Sequence, residues 1–333
     1  MCYYWTMMKK IKNIHRECRL RYFPVSAFSI LFGFSGLTIV MQKLEEVWKN
    51  DFIFSDVLLA VSIIIFGIFI FSYIYKIFFH WEEVKKEFAH PVKLSFFPAL
   101  SVSFLLLSIA FLKDYTNIAE WFLWIGAILQ LIFTIKIIGI WINHEKFKLD
   151  HLNPAWFIPI LGNVLVPISA THFNYIEISW FFFSIGFWFW IIIMVLFFNR
   201  IIFHGQMPDR FIPTLFILIS PPFIAFIAYT KLAGEVDIFG KNLYFLGLFL
   251  FMILISQWKV FSKVKFYLSS WAYTFPIASL GIATMLMYHG TGLVFYKYLV
   301  HLFAILLILI IGFLILKTFK AIKRKEICVD EEH

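Results

Sequence analysis

Residues 269–284 read SSWAYTFPIASLGIAT: hydroxyls, a glycine and a Phe275–Pro276 step interrupt a stretch placed where a bilayer-crossing helix belongs. A proline inside a helix removes a backbone hydrogen bond and costs about 3 kcal/mol. Hydroxyls and freed carbonyls can replace part of an ion's water shell, and without a fixed counter-charge they let the ion go again. The ionisable residues are placed elsewhere. No Asp, Glu, Lys, Arg or His stands near the middle of a proline-bearing apolar stretch, which argues against a proton relay or charged substrate clamp. His80 and His90 bracket WEEVKKEFA, and His144 and His151 bracket a second polar segment. Neither pair has the convergent spacing of a metal site, so these and His172 are read as wetted loop residues. The run EEVKKE reads as a solvated helical turn paired at i, i+3 and i, i+4. There is no glycine-rich phosphate loop, Gly-x-Ser-x-Gly elbow or HExxH motif. The expectation is therefore no enzyme, no cofactor and no metal. Cys2, Cys18 and Cys328 lie in the terminal tails and suggest no disulfide framework.

The chain that must position these residues has 333 of them, 62% hydrophobic and 15% charged, with a mean hydropathy of +0.85. A soluble domain of that length carries far more charge, so this is an all-α integral membrane protein. Ten apolar runs are predicted to span the bilayer: 23–42, 54–79, 94–112, 118–141, 156–171, 176–198, 211–230, 242–260, 268–288 and 294–316. They form one transmembrane unit over 23–317, between a basic N-tail (1–22) and a short C-tail (318–333). No signal-peptide cleavage site follows the basic start. Twenty-one of the 29 lysines and arginines fall in the tails and in loops on one side, and six in the opposite loops. That side is predicted to be cytoplasmic, with both termini there. Lys76 and Lys136, near the cytoplasmic ends of even spans, are expected to snorkel. The net charge of +9 is assigned to lipid headgroups rather than nucleic acid.

All 11 prolines lie within, or shortly before, odd-numbered spans, and the even spans contain none. Five helical hairpins follow, each with one irregular and one regular helix. Broken backbone is tolerated at membrane depth only against protein or water. The odd helices should therefore line a cavity, while the Phe- and Ile-rich even helices face lipid. The candidate lining and kink residues are Pro24, Ser29, Gly33, Pro98, Ser101, Pro159, Gly162, Pro167, Pro221, Pro222, Pro276 and Ser279.

The segments YKIFFHWEEVKKEFAHPVKLSFFP (75–98), NPAWFIPILGNVLVP (153–167), RFIPTLFILISPPFIAFIAY (210–229), GEVD (234–237) and WAYTFP (271–276) occur in that order. In this the chain resembles the TehA-like tellurite-resistance/dicarboxylate transporters, a family related to plant guard-cell slow anion channels and fungal malate permeases. The resemblance covers about 23–317. It implies a homotrimer whose protomers each hold a pore inside five odd helices in quasi-five-fold arrangement, enclosed by the even ones. It implies, too, that the aromatic before the proline of the ninth span, here Phe275, blocks that pore, with Pro276 aiming the ring. One departure is Ser29, where many relatives have glycine; Gly33 and Gly36 are retained. Plant relatives have long regulatory tails, and the short tail here is not expected to serve kinase gating.

The expected function is a channel or channel-like permease of the inner membrane passing small monovalent anions such as chloride or nitrate. The alternative is a proton-linked transporter of four-carbon dicarboxylates such as malate, or of sulfite or tellurite.

Overall fold

A computed structural model describes residues 20–48, 53–143, 147–205, 207–324 and 326–328. The basic N-tail up to Arg19, His144 and the end of the C-tail lie outside the described residues. Ten long helices follow one another: α1 (Ser29–Trp48), α2 (Phe54–Phe79), α3 (Ala99–Phe111), α4 (Thr116–Asn143), α5 (Ile158–Ala170), α6 (Ile176–Phe203), α7 (Ser220–Ala233), α8 (Ile238–Ser256), α9 (Thr274–Thr291) and α10 (Val294–Lys323). A nine-residue helix, Trp81–Ala89, lies between α2 and α3.

Every odd helix is entered through a 3-10 segment: Val25–Phe28, Lys93–Phe96, Pro154–Phe157, Asp209–Ile219 and Leu268–Tyr273. The prolines explain most of these joints. Pro24 and Pro98 occupy the cap positions, Pro154 and Pro159 stand at the first or second position of their elements, and Pro221 and Pro222 follow Ser220 at the start of α7. At these joints the 3-10 hydrogen-bond pattern gives way to the α pattern, and proline's fixed φ is already helical. This corrects the reading of Pro276 as a break inside a span. It is the third residue of α9, directly after the 3-10 segment Leu268–Tyr273, so it marks the joint between the two rather than a kink within the α-helix. Pro167 is the proline found inside an α-helix, in α5.

Burial sorts by parity. The most apolar windows of Val25–Trp48, Lys93–Phe111, Pro154–Phe173 and Asp209–Ala233 are 78–94% buried, whereas α2, α4, α6, α8 and α10 are 28–33% buried. Nine helices among the described residues are long and apolar enough to cross a membrane, one fewer than expected. The exception is α9, whose Thr274, Ser279 and Thr284 are all fully enclosed by protein, so apolarity toward lipid is not required of it. Each odd helix packs against the even helix that follows it, and α1 touches α3, α3 touches α5, α5 touches α7, α7 touches α9, and α9 touches α1.

The even helices are not uniformly apolar. Gln130 of α4 is completely buried; it donates to the Pro159 carbonyl at 2.7 Å and accepts from Ser101 Oγ at 2.6 Å. Helix α10 runs to Lys323, past the expected end at 316.

Candidate functional site

A cavity of about 620 Å³ opens on the face where the odd helices begin. Its walls include Phe32 of α1, Val102 of α3, Leu161 of α5, Ser220 of α7 and Phe275 and Pro276 of α9. Each of these falls within the first four residues of its helix. The cavity is thus a vestibule that ends one turn into the five helices. In its wall the Phe275 ring meets Phe32 edge-on, with centroids 5.9 Å apart and planes at 63°. Both rings are under a tenth exposed.

What holds Phe275 there is close helix approach. A Cβ on Gly33 would lie 2.6 Å from Thr274 Oγ1, and one on Gly36 would lie 2.7 Å from the Ala278 Cβ and 3.8 Å from the Phe275 ring. Glycine at these two positions lets α1 and α9 touch backbone to side chain. Trp271, stacked on Phe34 at 5.7 Å, donates its indole N–H to Thr318 Oγ1 at 3.0 Å and ties the start of α9 to α10.

The vestibule is electropositive for two reasons. Arg21, Lys76, Lys86, Lys93 and Arg210 line it against Glu83, Glu87 and Glu326. In addition, the five odd helical stretches all begin on this face, through the 3-10 segments Val25–Phe28, Lys93–Phe96, Pro154–Phe157, Asp209–Ile219 and Leu268–Tyr273, so the positive ends of their dipoles lie on the side of its mouth. Two ion clusters shape the wall. Glu83 accepts from Arg21 and from Lys86. Burial tends to raise its carboxyl pKa, but the hydrogen bonds and charges of Arg21 and Lys86 outweigh that and hold it below the usual carboxylate value.

Lys76 does not snorkel. Its ammonium is buried and donates to Glu87 Oε2 at 2.6 Å and to the Phe23 carbonyl at 2.9 Å. Glu87 also accepts from the Val25 N–H at 2.8 Å and the Tyr73 hydroxyl at 3.3 Å. The charge run EEVKKE is therefore only partly solvated. Glu82–Lys85 and Glu83–Lys86 pair at i, i+3 as expected, while its last glutamate anchors the start of the first odd helix from inside.

Of the sequence-derived candidates, Phe275, Pro276, Pro24 and Ser29 line the vestibule. The others stand elsewhere. Gly33 faces Thr274, Gly162 faces Gln130, and Ser101 bonds Gln130 on the outer side of the ring. Ser279 donates to the Pro276 carbonyl at 2.9 Å. Pro98, Pro159, Pro221 and Pro222 form the joints described above, and Pro167 lies deeper in α5, where its carbonyl accepts from Thr171 Oγ1 at 2.8 Å. The residues not anticipated are Phe32, Ser220 and the Lys76–Glu87 pair. Phe32 could have been found one turn after Ser29 on the same helix.

An all-helical, multi-pass membrane protein with a cation-rich vestibule at the starts of its buried helices is the class defined by these features. Residues 22–319 match the family model described as voltage-dependent anion channel, and the chain belongs to that family. It is 28% identical over 272 residues to the S-type anion channel SLAH2 of Arabidopsis thaliana, covering 79% of this chain and 52% of that one. Against the guard cell S-type anion channel SLAC1 of the same plant it is 27% identical over 275 residues, covering 79% and 49%. Against the tellurite resistance protein TehA homolog of Haemophilus influenzae it is 29% identical over 276 residues, covering 81% and 83%. The matches with the two plant relatives take in about half of those proteins' length.

Proposed function

We propose that this chain is a channel, or channel-like permease, for small monovalent anions such as chloride and nitrate. The path runs through the ring α1–α3–α5–α7–α9, with the even helices outside it as the second members of five hairpins. The carrying observation is the vestibule: electropositive, walled by five helix starts, and lined by the Phe275–Phe32 pair. Helix-end dipoles attract anions without binding them as tightly as a buried cation would, which suits passage. Selectivity then follows the ion's dehydration cost, and gating means moving the Phe275 ring. The basic face is assigned to the cytoplasm, with both termini there and the inner membrane as location. Assembly as a homotrimer with one path per protomer completes this reading.

The test is current across planar bilayers holding wild type or Phe275→Ala under chloride and nitrate gradients. A silent wild type and a conducting variant, with ohmic current indifferent to a proton gradient, are expected. One observation favours a second reading: the Lys76–Glu87 pair is a buried ionisable cluster in the cavity wall, as a proton-linked carrier of dicarboxylates would have. Accumulation of labelled malate in liposomes driven by a proton gradient, with neither protein conducting, would replace the channel reading with that one.

A further inference from the structure

A second cavity, of about 350 Å³, lies beside the short helix Trp81–Ala89. Ile77 of α2, Trp81, Val84 and Phe88 of the short helix, Leu100 of α3 and Phe133 of α4 line it, and among the described residues none turns a polar atom into it. The short helix divides its faces between the two cavities. Glu83, Lys86 and Glu87 stand on the vestibule, while Trp81, Val84 and Phe88, spaced three and four apart, stand on the groove. The groove thus opens away from the vestibule and toward the bilayer. Its mouth is accessible: Ile77 is 36% and Trp81 51% exposed, beside Phe78 and Phe79 at the lipid-facing end of α2. Its volume is at the small end of ligand cavities, about 300–1,000 Å³, and its apolar wall suits an acyl chain rather than a headgroup.

Two lysines mark the level of the headgroup. Lys85 lines the groove with its methylene stem, and its ammonium lies 6.0 Å from the Trp81 ring centroid and 2.9 Å from Glu82 Oε1. That ion pair is exposed, and exposed pairs are weak enough for a phosphate to displace the carboxylate. Lys136 is three residues beyond Phe133 on α4, so it stands about 4.5 Å nearer the vestibule face on an adjoining strip of the helix. It is exposed between the lipid-facing Ile132 and Ile135. A charge on such a strip is costly unless its stem carries it to a headgroup.

We propose that this groove binds an anionic phospholipid. One acyl chain lies among Ile77, Phe88, Leu100 and Phe133, and Lys85 and Lys136 meet the headgroup phosphate. A zwitterionic headgroup brings a cation of its own to the two lysines, so a lipid of net negative charge is favoured. The site is independent of what crosses the vestibule.

Full-length protein in detergent is titrated with phosphatidylglycerol or phosphatidylcholine, and bound lipids and protomers are counted by native mass spectrometry. Wild type should hold phosphatidylglycerol more tightly. Each lysine beside an anionic headgroup contributes about fivefold. Lys85→Gln with Lys136→Gln should therefore weaken phosphatidylglycerol binding about 25-fold and leave phosphatidylcholine unchanged; both positions are exposed, so folding is not at stake. Lys259→Gln with Lys263→Gln, which removes two exposed lysines from the α8–α9 connection, should change neither. Ala89→Leu fills the groove from an exposed helix end and should weaken both lipids. Equal affinity of wild type for the two lipids overturns the site, as does a preference that survives loss of Lys85 and Lys136. An equal loss in the Lys259 and Lys263 variant overturns it by reducing the effect to general surface charge. An Ala89→Leu variant that changes the number of protomers, and not of lipids, overturns it in favour of a second copy as occupant.

Discussion

Glu87→Gln is the perturbation whose size can be worked most directly. The carboxylate faces the Lys76 ammonium at 2.6 Å, and the two side chains are 7% and 4% exposed, so water screens them little. Severing a buried ion pair from one side costs about 3–5 kcal/mol, because the remaining charge stays buried without compensation. Glutamine keeps an oxygen for the Val25 N–H, so the anchor on the first 3-10 segment survives in part. The expected loss is therefore near the lower bound, about 3 kcal/mol. Lys76→Met combined with Glu87→Gln removes both charges and should return to within about 1 kcal/mol of wild type, as replaced buried pairs do. Reversible unfolding in mixed detergent–SDS micelles, followed by tryptophan fluorescence for wild type, both single variants and the double, gives the coupling energy. Single changes costing under about 1 kcal/mol, or a double variant as unstable as the sum of its singles, would refute a strong buried pair.

Two further outcomes follow from the same geometry. Gly33→Ala should destabilise by about 1–3 kcal/mol in that unfolding assay, because its Cβ would lie 2.6 Å from Thr274 Oγ1; no change would mean that α1 and α9 stand further apart. Glu83, with its carboxyl pKa held below the ordinary value, should add stability that is fully present above the unfolded carboxylate pKa and fades as pH falls through the lower folded one. Glu83→Gln should remove that part of the acid slope. Arg21 is 38% exposed, so the effect should stay under about 1 kcal/mol, and an identical slope in the variant would show that Arg21 and Lys86 do not act on Glu83 in this way.

How much of this was legible in the sequence depends on whether the cause is local. Proline fixes its own φ and removes its own N–H, so the alternation of irregular and regular helices could be read directly from where prolines fall. The azimuth of a side chain could not. A 3-10 turn advances about 120° per residue and an α turn about 100°, so the eleven residues Asp209–Ile219 shift the phase of α7 by roughly 220° relative to a continuous α-helix. Ser101, the third residue of α3, bonds Gln130 of α4, while Ser220, the first of α7, stands on the vestibule wall. Lys76 and Glu87 were hidden for another reason. The helix breaks at His80, and the two residues meet only because Trp81–Ala89 folds back, a tertiary choice that no periodicity encodes.

The modest apolarity of α9 bears on how the chain enters a membrane at all. A segment carrying Thr274, Ser279, Gly281, Thr284 and His289 partitions poorly on its own, and its polar groups are sheltered only once the other odd helices surround it. The following helix, α10, is the most apolar of the candidate spans and packs along α9. During synthesis α9, and with it Phe275, is therefore committed late: it is held at the bilayer by its neighbour and complete only when α1, at the opposite end of the chain, closes against it.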